Sequence, residues 1–359
     1  MGLRVEVPAD SAAVEEFVRF HDRVYADQGA FWPAFVPLEA PFVSGTGPIA
    51  ESRRCRPFVA RDGSGAIVAR VLAVLDLRYT RHWNESLGHL VKFEALPDTR
   101  DAVRGLMERA CEWLATQGAE AARCGMGPLD MPFVIDAYDT LPPSILRFNP
   151  PYYHALLKDA GFETEQGYVD YRITVRPELV AQWEAAVTAA EHRGVELVPL
   201  RSVPAERRAA LLASLFNETF AAHWGFAPVT ELEQHTYLGL FEATGGLDTS
   251  MIAFRGDEPL GEVTVVPDSS VFAKVAPGRV LLPSERLNWL GIGVRTPARE
   301  RGVGLALASA AFLELVRRGA THVSYTLVLD HNWPSRRTAQ RLGAEVCANY
   351  VAYRRSLRR

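Results

Sequence analysis

Residues 293–309, GVRTPARERGVGLALAS, set three arginines, Arg295, Arg299 and Arg301, around a Thr-Pro turn and two glycines, Gly302 and Gly304, at the head of an apolar run. The stretch before them, LNWLGIGV (287–294), puts Asn288, Leu290, Ile292 and Val294 on one face and reads as a strand. Thr296-Pro297 ends that strand, and VGLALASAAFLELV is apolar nearly all round, which predicts a buried helix. The first turn of a helix carries unpaired N–H groups and a partial positive charge. With no side chain at Gly302 and Gly304, the backbone there can close around an anion such as a pyrophosphate. A dinucleotide fingerprint would need a third glycine where Leu307 stands, and a P-loop would need Gly-Lys-Ser or Gly-Lys-Thr, which the stretch lacks.

Working outward, the surroundings of this turn recur earlier in the chain at an offset of roughly 180–200 residues. PFVARDGSGAIVARV (57–71) and SMIAFRGDEPLGEV (250–263) both read as strand, Gly/Asp turn, strand. ALPDTRDAVRGLMERACEWLATQGAE (95–120) matches RTPARERGVGLALASAAFLELVRRGAT (295–321), each a helix closed by a glycine, Gly118 and Gly319, suited to a left-handed cap. After a further strand come NPPYYHALLKDAGFETEQGYVDYRI (149–173) and NWPSRRTAQRLGAEVCANYVAYRR (332–355), each a short helix, a glycine and a tyrosine-bearing strand. The order implies duplication of one mixed α/β unit. PELVAQWEAAVTAAEHRG, within 174–196, reads as a linking helix, and AERRAALLASLFNETFAAHWGF as an amphipathic helix of the second unit.

The spacing Arg299-x-x-Gly302-x-Gly304, five residues after Val294, resembles motif A of the GNAT superfamily, the acyl-CoA-dependent N-acyltransferases. The likeness continues through Asn332, Ser335 and Gly343-Ala344, covers residues 195–355 well, and runs through the first half in degenerate form. It implies an α/β protein with mixed sheets, made of two tandem GNAT folds: a degenerate N-terminal unit at 1–175, a linker helix at 176–196 and a C-terminal unit at 197–359 that binds acyl-CoA. The backbone of Ile292, Gly293 and Val294 would pair with pantetheine, and Arg299, Glu300, Arg301, Gly302, Val303, Gly304 and Leu305 would hold the pyrophosphate. Asn332 and Ser335 would lie at the pantetheine or adenine end. In the first half Asp98, Asp101 and Val103 stand where Arg299, Gly302 and Gly304 stand in the second. Carboxylates there oppose a pyrophosphate, so one CoA per chain is expected, with the first unit completing the acceptor pocket.

Transfer to an amine needs a neutral nucleophile and a proton for the departing thiolate. The family's usual base position carries Asn288, which can orient a water, and Glu285 is the nearest carboxylate. The family's acid tyrosine position is Ala339, which leaves Tyr350, Tyr353 and His331 as proton carriers. His223, Trp224 and Phe226 are candidate walls of the acceptor pocket, and Tyr152 and Tyr153 either face the cleft between units or seal the core.

Composition bounds the rest. The chain has 359 residues, 48% hydrophobic and 23% charged, with a net charge of -4 from 39 basic and 43 acidic side chains. No overall basic field exists to attract nucleic acid, no apolar run reaches a membrane span, and the N-terminus lacks a signal-like block, so a cytoplasmic protein is expected. The four cysteines, Cys55, Cys111, Cys124 and Cys347, lack metal-ligand spacing, and no metal is expected. The reading is an N-acyltransferase moving an acyl group, acetyl by default, from acyl-CoA to a small-molecule or peptide amine. Two alternatives stand beside it: a CoA-binding sensor without turnover, and an aminoacyl-tRNA-dependent transferase.

Overall fold

The computed structural model describes residues 3–299 and 301–358. The first half contains β1 (Arg4–Glu6), α1 (Ser11–Val24), β2 (Ala30–Phe31), α2 (Val36–Val43), β3 (Arg53–Arg61), β4 (Ile67–Asp76) and α3 (Leu77–Trp83). It continues through β5 (Leu87–Ala95), α4 (Arg100–Thr116), β6 (Ala121–Cys124), β7 (Phe133–Val134), α5 (Tyr153–Asp159) and β8 (Glu163–Thr174). Helix α6 (Pro177–Glu191) leads to β9 (Glu196–Pro199), α7 (Ala205–Thr219), α8 (Glu231–Thr244), α9 (Gly246–Thr249), β10 (Met251–Arg255) and β11 (Glu258–Val266). The chain then passes through β12 (Lys274–Val275), β13 (Trp289–Val294), α10 (Val303–Arg317), β14 (His322–Leu329), α11 (Trp333–Arg341) and β15 (Glu345–Ser356).

The duplicated signals become duplicated elements. Helices α4 and α10 follow β5 and β13, and each ends at a glycine in the left-handed region, Gly118 at φ +92° and Gly319 at φ +91°. The apolar residues of α4 bury one stripe, including Val103, Leu106, Ala110 and Leu114. Helix α10 buries residues on almost every side, Ala306 to Phe312 in an unbroken run, because α6 covers the flank that the sheet does not. Trp183 of α6 packs its ring 5.3 Å from that of Phe312 and donates its indole N–H to Leu342 O, closing this core.

The strands do not stay within their own halves. The large sheet runs β1-β3-β4-β5-β6-β15-β8-β14, with β7 also paired to β15, and a second sheet runs β13-β11-β10-β9. The last strand of the chain, β15, therefore lies between β6 and β8 of the first half, and β8 in turn lies against β14 of the second. A long antiparallel β8/β15 pair thus joins the halves. Buried ion pairs add to the join: Glu233 of α8 takes both Arg53 and Arg78, and Arg53 also pairs with Asp76 at 2.6 Å. Among the described residues no helix is long and apolar enough to cross a membrane.

Candidate active site

Strands β13 and β14 belong to different sheets, and among the described residues side chains pin them together at their lower ends. The Asn288 amide donates to Ser324 O and accepts from Ser324 N, at 3.0 and 2.8 Å. Thr326 Oγ1 accepts from Leu290 N at 3.0 Å and donates to Leu290 O at 2.6 Å. Backbone polar groups alternate in direction along a strand, so Ile292 and Val294 point their N–H and C=O groups the same way as Leu290, into the space beside β14. Gly291 and Gly293 pair on the other edge, opposite Thr264 and Glu262 of β11. The result is a slot that opens upward from Leu290, with a free strand edge at Ile292.

The slot leads to the glycine turn. Gly302 is the N-cap of α10 at φ +77°, a conformation that a side-chain-bearing residue reaches only with strain. A Cβ on Gly304 would meet Val294 Cγ2 at 3.4 Å, so the helix start lies flush against the end of β13. The three arginines divide. Arg295 pairs with Glu218 at 2.8 Å. Arg299 donates to Val294 O at 3.0 Å and to Thr219 O at 3.1 Å, fastening the turn to β13 and α7. Arg301 is exposed. A further cation, Arg193 after the linker helix, brings its Nη2 to 3.0 Å from where a Cβ of Gly302 would stand. Free strand edge, side-chain-free helix start and nearby guanidinium groups together fit a pantetheine-pyrophosphate chain. Glu300 lies outside the described residues. Val303 is buried and Leu305 half-buried in the first turn of α10. Asn332 caps α11 by accepting from Ser335 N at 3.3 Å, and Ser335 Oγ lies 2.9 Å from the Tyr325 hydroxyl.

The remaining sequence candidates separate. His223 and Trp224, on the α7–α8 connection, reach the far end of β14. The Trp224 ring is 6.0 Å from Tyr168 and is capped by Arg123 at 4.0 Å. Burial lowers the His223 pKa, against a hydrogen bond with the Trp224 carbonyl, which raises it. His331 itself is exposed, with Nδ1 3.1 Å from Asp330. Phe226 turns away and packs on His82 of the first half, with rings 4.9 Å apart. Glu285 is buried, paired with Arg279 and accepting from Leu141 N at 3.1 Å and Leu282 N at 3.0 Å, which anchors the β11–β13 connection to the first half. Tyr353 bonds His154 at 2.7 Å. Tyr152 and Tyr153 both seal β5: Tyr152 donates to Ala95 O at 2.8 Å and Tyr153 accepts from Ala95 N at 3.0 Å.

One group that sequence reading missed stands beside the slot. A cleft of about 330 Å³ opens between the halves, lined by residues 136–143, Asp170, Arg172, Ser284, Leu287 and the β15 residues Cys347 and Tyr350. Asp170 of β8 is buried at its base, accepting from Leu327 N of β14 at 3.2 Å and from Cys347 Sγ at 3.7 Å. Leu327 sits at φ +44°, beside the break in the β14/β8 register. Burial pushes the Asp170 carboxyl up to about 7, against the Leu327 amide, which lowers it. Tyr350 is buried in the same wall, and its hydroxyl pKa is raised well above the usual value by burial and by Asp170.

The comparisons with known proteins meet this geometry. A tandem GNAT protein from the clavulanic acid biosynthesis pathway superposes with a TM-score of 0.60 at 14% identity, over 99% of both chains. The chain has a tandem GNAT fold. A GCN5-related N-acetyltransferase from Sphaerobacter thermophilus gives a TM-score of 0.54 at 17% identity over 99% of this chain and 96% of that one. A GCN5-related glucosamine N-acetyltransferase region of a fungal multi-domain protein gives 0.60 at 17% identity, the chain covering 38% of it. By sequence, the chain is similar to protein YghO of Escherichia coli, 23% identical over 61% of this chain and 57% of that one, so it spans little more than half of that relative. It is also similar to a bacterial ceramide synthase of Caulobacter vibrioides, 21% identical over 98% of this chain and 96% of that one. No family model matches.

Proposed function

We propose that this tandem GNAT protein transfers an acyl group from an acyl-CoA to an amine. The observation that carries the reading is the slot whose free edge at Ile292 runs straight to the side-chain-free start of α10. In this reading the second unit, 197–359, holds the CoA thioester, with Ile292 to Val294 along the pantetheine, Val303 to Leu305 on the pyrophosphate and Arg193 and Arg301 as counter-charges. The amine enters through the cleft between the halves. Asp170, one hydrogen bond from the slot strand, takes the proton of the incoming ammonium. The neutral amine attacks the thioester carbonyl, the C–S bond breaks as the C–N bond forms, and the second amine proton leaves with the thiolate as CoA-SH. Asp136, Tyr138, Asp139, Arg172, Cys347 and Tyr350 are the ionisable groups that line the cleft with Asp170, and its carboxylate form prevails above about pH 7.

A finer reading concerns the acceptor. Ceramide is an N-acylated long-chain amino alcohol, and the relative bearing that name aligns along nearly the whole chain. The β11–β13 connection, which supplies Ser284 and Leu287 to the cleft, also exposes Val271, Phe272, Val280 and Leu282. Exposed apolar residues on the segment that also lines the cleft suit an amine with a hydrocarbon tail. Thiol release measured over acyl-CoAs from acetyl to palmitoyl, against short amines, peptides and a long-chain amino alcohol, tests both levels. Release with no amine in the panel overturns the first reading in favour of a sensor; release with short amines alone overturns the second.

A further inference from the structure

The connection between α7 and α8, residues 220–230, belongs to the second half but is fastened to the first. From α3, His82 Nε2 lies 2.7 Å from Ala221 O, and the Trp83 indole N–H donates to Phe226 O at 2.7 Å. The His82 and Phe226 rings stand 4.9 Å apart. Gly225, at φ +78°, lays its backbone against Met126, whose Cγ a Cβ there would touch at 3.5 Å. Between these ties the Arg123 guanidinium, from β6, covers the Trp224 ring at 4.0 Å.

Arg123 is itself held in one orientation. It is buried, and it donates through Nε and Nη2 to the two oxygens of Glu165 at 2.7 and 2.8 Å and through Nη1 to the Tyr79 hydroxyl at 3.2 Å. Two parallel bonds to one carboxylate fix the plane of a guanidinium, which leaves its flat face for the indole. Glu165 also accepts from Arg354 at 3.0 Å, so it keeps a cation when Arg123 is removed.

Trp224 in turn stands where the slot meets the acceptor cleft. With Trp289 of β13 and Leu327 of β14 it packs against the core of Tyr168, Leu329 and Tyr350. Tyr168 is two residues before Asp170 on β8, hence on the same face, and Leu327 gives Asp170 its N–H. Trp289 lies alongside Gly291, where a Cβ would meet its Cη2 at 3.1 Å. Both indoles are half-buried and so keep open surface.

We infer that Trp224 is a wall against which the acceptor amine is held beside Asp170, and that Arg123 of the first half is the positioning residue that sets the indole there. The inference rests on the transfer reading above. The first half thereby governs how well the amine binds without touching the CoA.

Thiol release from acetyl-CoA and palmitoyl-CoA, with ethanolamine and dodecylamine as probes, and calorimetry with CoA test it on full-length Arg123→Met, Trp224→Ala and the double variant. Each single substitution should raise the amine KM about fivefold or more, with kcat and CoA affinity held within about threefold. The double variant should be no worse than Trp224→Ala alone, since two groups acting through one contact do not add. An unchanged KM in Trp224→Ala, or effects that multiply in the double variant, overturns the proposal. Arg123→Lys keeps the charge without the planar fork and should not restore the KM. A second readout needs no turnover. Trp224 emission, taken as the difference between each protein and its Trp224→Phe counterpart, should be quenched by acrylamide more strongly, by about twofold, in Arg123→Met than with Arg123 in place, because the ring loses its cover. Equal quenching overturns the positioning role. Should Arg123→Met not fold, Arg123→Lys takes its place in the quenching comparison and Trp224→Ala decides the KM. No turnover with any probe amine overturns the transfer reading and the acceptor role of Trp224 with it, while quenching still decides whether Arg123 sets the ring; turnover with an unmoved KM overturns this proposal alone.

Discussion

The two halves solve the same architectural problem in opposite ways. In the second half β13 and β14 are held by two side-chain pins and then part. In the first half the corresponding strands, β5 and β6, pair through backbone from Leu87/Ala121 to Leu90/Cys124. Above that point the edge of β5 is already occupied: Arg147 donates to Phe93 O at 3.0 Å, and the two tyrosines take both polar groups of Ala95. The chain from Gly125 onward fills the remaining space, so closely that a Cβ on Gly127 would meet Val91 at 2.9 Å. The turn before α4 carries Asp98, and the first turn of the helix Asp101, where the other copy has Arg299 and Gly302. A strand edge that is free in one copy is hydrogen-bonded in the other. This supports a division of labour in which one half holds the CoA and the other shapes what the CoA meets.

The largest effect should come from the group that crosses between halves. Asp170→Asn keeps the shape and removes the proton acceptor, so turnover should fall about 10²- to 10⁴-fold with CoA affinity unchanged. The acid limb of the pH-rate profile, placed near the Asp170 value of about 7, should vanish with it. Steady-state kinetics on both proteins from pH 5.5 to 9 check this. A variant that keeps both rate and acid limb would move the base elsewhere, with His331 and His223 next in line.

A smaller but cleaner effect belongs to the turn. Gly304→Asp introduces a carboxylate against Val294 where the pyrophosphate is to lie, and CoA affinity should drop at least tenfold, about 1.4 kcal/mol. The same calorimetry on the native chain should return one CoA per chain. Two sites per chain would mean that the first half opens, against every hydrogen bond along its β5 edge. Arg193→Ala removes one exposed counter-charge, for which a two- to fivefold loss of CoA affinity, diminishing with added salt, is expected.

The legibility of these features in the sequence follows their range along the chain. The turn was readable because strand, proline, glycines and helix lie within about twenty consecutive residues. The hairpins, the two long helices and their glycine stops were readable for the same reason, twice over. The exchange of β8 and β15 was not, because a repeat discloses which elements exist and not which copy a strand joins. Asp170 went unnoticed on that account: it sits in the first half's last strand, and only the pairing of β8 with β14 brings it to Leu327. Arg193 approaches Gly302 across more than a hundred residues. Glu285 and Asn288, adjacent in sequence to β13, prove to be fully hydrogen-bonded within the protein, a fact that proximity in sequence does not reveal.

The same comparison singles out one last pair of positions. On β4 and β5 Arg70 stands directly opposite Glu94, and the two form a buried ion pair; on β11 and β13 Glu262 stands opposite Gly293, which offers no side chain. Glu262 is buried, its Oε2 has no partner, and burial alone pushes its pKa up to about 8. A carboxyl whose folded pKa exceeds its unfolded value of 4.5 lends its full stability below about pH 4.5 and loses it as the pH rises through about 8. At one unit per 1.36 kcal/mol the loss is bounded by roughly 5 kcal/mol. Glu262→Gln removes that titration while keeping shape, and Glu262 touches neither the slot edge nor the acceptor cleft, so turnover should stay within about twofold. By scanning calorimetry the variant should match the native chain near pH 4.5 and melt several degrees higher at pH 8. Equal melting temperatures at both pH values would mean that Glu262 has a partner after all, and that the second half, like the first, has paired its buried charge.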